Sequence, residues 1–128
     1  MNKVLTYISH PSSGLDINRY KVEDIIRLLY NNDECYNKLC VVSPIHNYGF
    51  MYDEMEYFKG LSLCTDLLAK CNIMLVFGNH KESVGCTEEI KFCEEHRIPY
   101  IIIKNRVELE KLINNGSLIE SIENKLLS

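Results

Sequence analysis

Carboxylates, a hydroxyl and small residues gather in one segment, Ser83-Val84-Gly85-Cys86-Thr87-Glu88-Glu89, which follows an apolar run and opens a predicted helix. Unpaired backbone N–H groups at a helix N-terminus favour an anion, either a phosphate or a carboxylate of the protein itself. The same residue types also cap helices with no ligand present, so the segment alone leaves both roles open. A second group, His10-Pro11-Ser12-Ser13-Gly14, follows another apolar run. Its loop around Ser12, Ser13 and Gly14 could supply backbone donors, although Gly14 also suits a plain turn. The His10 imidazole, with an ordinary pKa near 6.5, suits proton transfer at neutral pH. His46 and His80 fall in predicted loops, and His96 falls late in a predicted helix, where it complements the helix dipole. Tyr48, Phe50 and Tyr52 could stack on a flat ligand or cover a core edge.

The elements that must hold these groups alternate along the chain. Lys3 to Ser9 is a β-rich run stopped by the turn formers that follow it. From Asn18, the residues Val22, Ile25, Ile26 and Leu29 recur at helical intervals, and this first helix ends near Asn31-Asn32. Leu39 to Ser43 reads as a second strand closed by Pro44, followed by a loop through Tyr52 and a second helix from about Asp53 to Lys70. Asn72 to Phe77 is a third strand without polar alternation, as expected where helices cover both faces of a parallel sheet. The loop Gly78 to Glu82, a third helix toward Arg97, a fourth strand over Pro99 to Ile103, and a helical hairpin broken at Asn114-Asn115-Gly116 complete the chain.

This pattern predicts a flavodoxin- or Rossmann-like α/β domain over residues 1–128, with a parallel sheet of about four strands flanked by helices. In a 2-1-3-4 strand order, ligands bind beyond the C-terminal strand ends where the order reverses, between strands one and three. The loops His10–Gly14 and Gly78–Gly85 meet there, with Pro44–Tyr52 nearby.

Composition narrows the partners. With 46% hydrophobic and 25% charged residues, the 128-residue chain lies inside the globular range and can form one sizeable core. The formal charge of −4 gives no general attraction to duplex nucleic acid or to an anionic membrane. No apolar run approaches the roughly 20 residues of a membrane span, and the N-terminus lacks a signal-peptide pattern, so a cytoplasmic protein is expected. The six cysteines, at 35, 40, 64, 71, 86 and 93, show no Cys-x-x-Cys pair and no zinc spacing. They are expected as reduced thiols without a metal.

Four segments taken together carry a resemblance: Tyr7-Ile8-Ser9-His10-Pro11-Ser12-Ser13-Gly14, Val42-Ser43-Pro44, Lys70-Cys71-Asn72 before its apolar strand, and Ser83 to Glu89. In order and spacing they resemble the nucleoside 2-deoxyribosyltransferase-like superfamily, particularly small bacterial and phage members related to 2′-deoxynucleoside 5′-phosphate N-hydrolases. The resemblance covers roughly residues 3 to 103. It implies that Glu89, four residues after Gly85, attacks C1′ of a nucleoside and displaces the base, and that Tyr7 hydrogen-bonds this nucleophile. An anion suits that role because the transition state resembles an oxocarbenium ion. Glu88 stands one residue out of register. The resemblance further implies that Ser9, His10, Pro11, Ser12, Ser13, Gly14, Ser83 and Gly85 form the ligand site. Serine at 83, where members acting on free nucleosides tend to carry an acid, points toward 5′-monophosphates. No cofactor is implied, and a homodimer or larger homo-oligomer is, with Tyr48, Phe50, Tyr52, Tyr57 and Phe58 offering apolar surface to bury.

The chain departs from this family pattern at three positions. Cys64 stands where catalytic members have an aspartate that helps protonate the leaving base, and Asp66 lies about 200° around the helix from it. Asn72 stands where aspartate is usual, and His10 replaces a glycine, although its imidazole could supply the missing acid. Two functions follow as expectations: cleavage of the N-glycosidic bond of a (deoxy)nucleoside 5′-monophosphate, or binding without turnover of a nucleotide or nucleotide-derived signal.

Overall fold

The computed structural model describes residues 2–128. Four parallel strands, β1 (Val4–Ser9), β2 (Leu39–Val42), β3 (Ile73–Val76) and β4 (Tyr100–Ile102), form one sheet in the order β2-β1-β3-β4. Its helices are α1 (Asp16–Tyr30), α2 (Asp33–Lys38), α3 (Pro44–Tyr48), α4 (Tyr57–Leu68), α5 (Val84–His96), α6 (Arg106–Asn114) and α7 (Ser117–Leu127). The Rossmann-like α/β architecture read from the sequence is present, with β1 and β3 adjacent in parallel register, Tyr7 opposite Met74 and Ser9 opposite Val76. Among the described residues, no helix is long and apolar enough to cross a membrane.

Strand periodicity divides the core into two faces. Ile8, Leu39, Ile73, Leu75 and Ile103 point to one face, where α1, α6 and α7 add Val22, Leu29, Leu109, Leu118 and Ile122. Tyr7, Met74 and Val76 point to the other, against Leu68, Cys71 and Cys93 of the α4 and α5 side. One residue of slip in β1 would exchange Tyr7 for Ile8 and dissolve the second face, so the register is strongly fixed.

Several boundaries differ from the sequence reading. Helix α1 begins at Asp16 rather than Asn18, and α2, missed entirely, follows Asn32, whose side chain accepts from Cys35 N–H at 3.0 Å. Only Cys35 of α2 is buried, so it has no apolar stripe to announce it. The stretch 44–54 is α3 plus a turn of 3₁₀ helix (Gly49–Glu54) rather than a loop, and this delays the start of α4 from Asp53 to Tyr57. Ser43 caps α3 and Pro44 occupies its first turn, a position where the missing N–H costs nothing.

At the N-terminal edge of the sheet, Asn72 Oδ1 accepts from Leu5 N–H at 2.8 Å while Asn72 N–H donates to the Leu5 carbonyl, also at 2.8 Å. This side chain extends the β1–β3 pairing at the end opposite the reversal loops. Asn72 thus takes part in strand pairing and does not line the cavity described below.

Candidate functional site

Glu89 lies in the second turn of α5, a helix that Ser83 caps by accepting from Cys86 N–H at 3.2 Å. Its side chain turns toward the C-terminal end of β1 and is only 6% exposed. There Tyr7 Oη donates to Oε2, and Ser9 Oγ donates to Oε1 at 2.7 Å. Both donors come from one face of β1, two residues apart, so strand periodicity alone aims them at one carboxylate. Burial raises the Glu89 pKa from 4.5 to about 6, against the two donated hydrogen bonds, which lower it. The group is thus anionic at neutral pH yet poorly hydrated. Tyr7 is held well above its usual pKa, first by burial and then by the Glu89 charge, and stays a neutral donor.

Glu89 forms part of the wall of a cavity of about 590 Å³, within the range of small-molecule sites. His10, Ser12, Ser13 and Gly14 line it from the β1 loop, Ser83 and Gly85 from the start of α5, and Cys64 from α4. Of the ten residues expected at the site, Tyr7 and Ser9 stand behind Glu89 and reach the cavity only through it. Pro11 does not line it. Instead Pro11 packs on Gly78, whose φ of +71° and tight surroundings explain the glycine: a Cβ there would meet Pro11 Cδ at 3.1 Å and His10 Nε2 at 3.3 Å. This contact seats the 10–14 loop over the strand ends.

His10 directs its Nδ1 at its own chain. Its Nδ1 lies 2.7 Å from the Pro11 carbonyl, an arrangement that requires the proton on Nδ1, and burial lowers its pKa against that hydrogen bond, which raises it, with Lys21 adding a smaller lowering. The imidazole is neutral at neutral pH. His46 is taken out of the site by its own partners, Ser43 Oγ and Glu23 Oε2, each at 2.8 Å. His80, Tyr48 and Phe50 do not line the cavity, whereas Tyr52 and Tyr57 do. His96 stacks on Phe92 and bonds its carbonyl on the exposed side of α5. Asp66 is exposed on α4 and does not line the cavity, as its angular offset from Cys64 requires.

Cys64 does occupy the expected place, in the wall shared with Glu89, with its Sγ 3.1 Å from Tyr52 Oη. Burial raises the pKa of this thiol and of Cys86, and burial also raises that of Tyr52. All three are weak acids here. All six cysteines are free.

Sequence reasoning missed the wall built by Ile45, Met55, Glu56 and Leu61, and it passed over Glu82 beside Ser83. Ile45 and Leu61 are ordinary apolar helix residues by type, and exposed glutamates read as solvated surface. Ile45, Met55 and Glu56 reach the cavity through the unforeseen α3 and 3₁₀ turn, Leu61 from α4, and Glu82 from the turn before α5. Compared with family models, with curated proteins and with solved structures, the chain matches none of them.

Proposed function

We propose that the protein cleaves the N-glycosidic bond of a nucleoside or its 5′-monophosphate, in the manner of the nucleoside 2-deoxyribosyltransferase-like superfamily, with Glu89 as nucleophile. The observation that carries this reading is a buried carboxylate at a cavity wall, with each oxygen held by a hydroxyl donor from the same strand. A desolvated, oriented anion both stabilises positive charge developing at C1′ and captures it as a glycosyl ester. Tyr7 and Ser9 fix the carboxylate and keep it ionised. Water then attacks C1′ and releases the sugar. For a 5′-phosphate, the available donors are the Ser83 hydroxyl and the first turn of α5.

The reading includes a homodimer, supported by the exposed apolar side chains of Phe50, Tyr57, Phe58 and Val84. It also includes a reducing, cytoplasmic setting, supported by the six free thiols. Sedimentation velocity tests the dimer, and a single species at the monomer mass rejects it.

A second reading, a binder that does not turn its ligand over, is favoured by Cys64, since a neutral thiol of raised pKa stands where a base-protonating acid is expected. One assay separates the two. The protein is incubated with nucleosides and matched 5′-monophosphates, and free base is measured by chromatography. Base released by the wild type and lost in Glu89→Ala supports the glycosidase. Ligand binding without base release selects the binder.

A further inference from the structure

The cavity combines two properties that restrict its ligand. Among the described residues, no lysine or arginine lines it, while Glu56, Glu82 and Glu89 all do. The positive end of α5 offsets only about half a unit of this charge. The second property is that the side chains beside the carboxylate that carry a transferable proton are weak acids. His10 is neutral with its proton directed at the Pro11 carbonyl, and Cys64, Cys86 and Tyr52 are held in their protonated forms by burial. The negative charge of such a wall outweighs the few donors that Ser83 and the first turn of α5 offer a phosphate, and a neutral nucleoside would leave its base as an anion whose protonation falls to weak acids.

We propose that the cavity takes a nucleoside whose heterocycle is already a cation, such as a pyridinium riboside or an N7-alkylated purine nucleoside, and expels that base without protonating it. This rests on the N-glycosidase reading and names its substrate class. Tyr52 and Tyr57 add aromatic rings to the lining, where a cationic ring gains from their π-systems, and Glu56 and Glu82 add negative charge. The C1′–N bond breaks with its electron pair moving onto the ring nitrogen, which discharges the ring. A Glu89 oxygen forms a bond to C1′. Water then attacks C1′, the ester electrons return to the Glu89 carboxylate, and the water's second proton goes to solvent. One cationic nucleoside and one water give one neutral base, one free sugar and one proton.

The test uses nicotinamide riboside, its uncharged dihydro form, its 5′-monophosphate and guanosine, with the 2′-deoxy counterparts run in parallel. Affinities are measured by calorimetry on Glu89→Gln, so that turnover does not intervene. The cation is expected to bind at least about tenfold more tightly than the dihydro form, and the monophosphate more weakly than the nucleoside. The double variant Glu56→Gln/Glu82→Gln in the same background should shrink the preference several-fold. With the wild type, base release from the cation should depend on Glu89 and acidify an unbuffered solution by one proton per base. Equal affinities for charged and uncharged forms, or tighter binding of the monophosphate, overturn this inference. Glu89-dependent release from guanosine that matches or exceeds release from the cation also overturns it, while leaving the N-glycosidase reading intact. No Glu89-dependent release from any compound overturns both.

Discussion

The two faces of the sheet are built from alternate residues of the same strands, yet they do different work. The face of Ile8, Leu75 and Ile103 is closed by three helices and filled by aliphatic side chains. The face of Tyr7, Met74 and Val76 has a smaller apolar cluster and gives way at its upper end to a carboxylate and a cavity. Both faces are fully buried along β3, so burial alone does not distinguish them. The difference lies in what is desolvated. Hydrocarbon gains from leaving water, whereas Glu89 loses hydration and recovers part of it from Tyr7 and Ser9. One face stabilises the fold, and the other retains a carboxylate whose burial raises its pKa.

The largest effect belongs to the first face. Leu75 is fully buried in a central strand, so Leu75→Ala should lower unfolding free energy by about 2–5 kcal/mol in urea titration. A loss under 1 kcal/mol would mean that this face is not the main source of stability.

Glu89→Gln should act in the opposite sense. A folded-state pKa of about 6, above the ordinary 4.5, means that the folded protein holds this proton more tightly than the unfolded chain does. The resulting stability is fully present below pH 4.5 and is lost as pH rises through about 6, a deficit near 2 kcal/mol above that window. Glu89→Gln removes the deficit. It should therefore be more stable than the wild type by about 2 kcal/mol at pH 8, with the difference closing below pH 4.5, while base release is lost. Destabilisation at pH 8 would show that the carboxylate is a net structural asset.

Ser9→Ala sharpens the comparison further by removing one of the two donors while leaving Glu89 buried. The Glu89 pKa should rise above about 6, and the acidic limb of base release should move up by about one pH unit. An unmoved limb would assign it to another group. The smallest effect is expected from Glu88→Ala. Glu88 is exposed one residue away, so stability should change by no more than about 0.5 kcal/mol and base release should persist. Equal losses from Glu88→Ala and Glu89→Ala would show that the register is wrong.

The strands were legible because each is a short apolar run ended by turn formers, and their alternation with helices leaves few sheet orders. Helix α2 was not legible, since Asp33 to Lys38 buries a single residue and shows no stripe. The signal for α3 was present in Ser43-Pro44, a cap followed by a first-turn proline, but the same pair also ends a strand. At the site, the meeting of Tyr7 and Ser9 with Glu89, 82 and 80 positions later in the chain, has no local periodicity behind it. The family resemblance implied the Tyr7 contact, whereas Ser9 was expected at the ligand and not at Glu89. The charge of the cavity stayed hidden because Glu56 and Glu82, taken singly, look like any solvated glutamates. The neutrality of His10 depends on its contact with the Pro11 carbonyl and on burial beneath Gly78, neither of which residue type discloses.

The central claim is that Glu89 bonds covalently to the sugar. Its most direct test is mass spectrometry of the protein incubated with a nucleoside bearing fluorine at C2′, where the electron-withdrawing substituent slows release of the glycosyl ester more than it prevents its accumulation. The account predicts an intact-mass increase equal to one fluorinated glycosyl group, mapped by peptide fragmentation to Glu89 and absent from Glu89→Gln. Steady release of base with no adduct, or an adduct on any other residue, would contradict it.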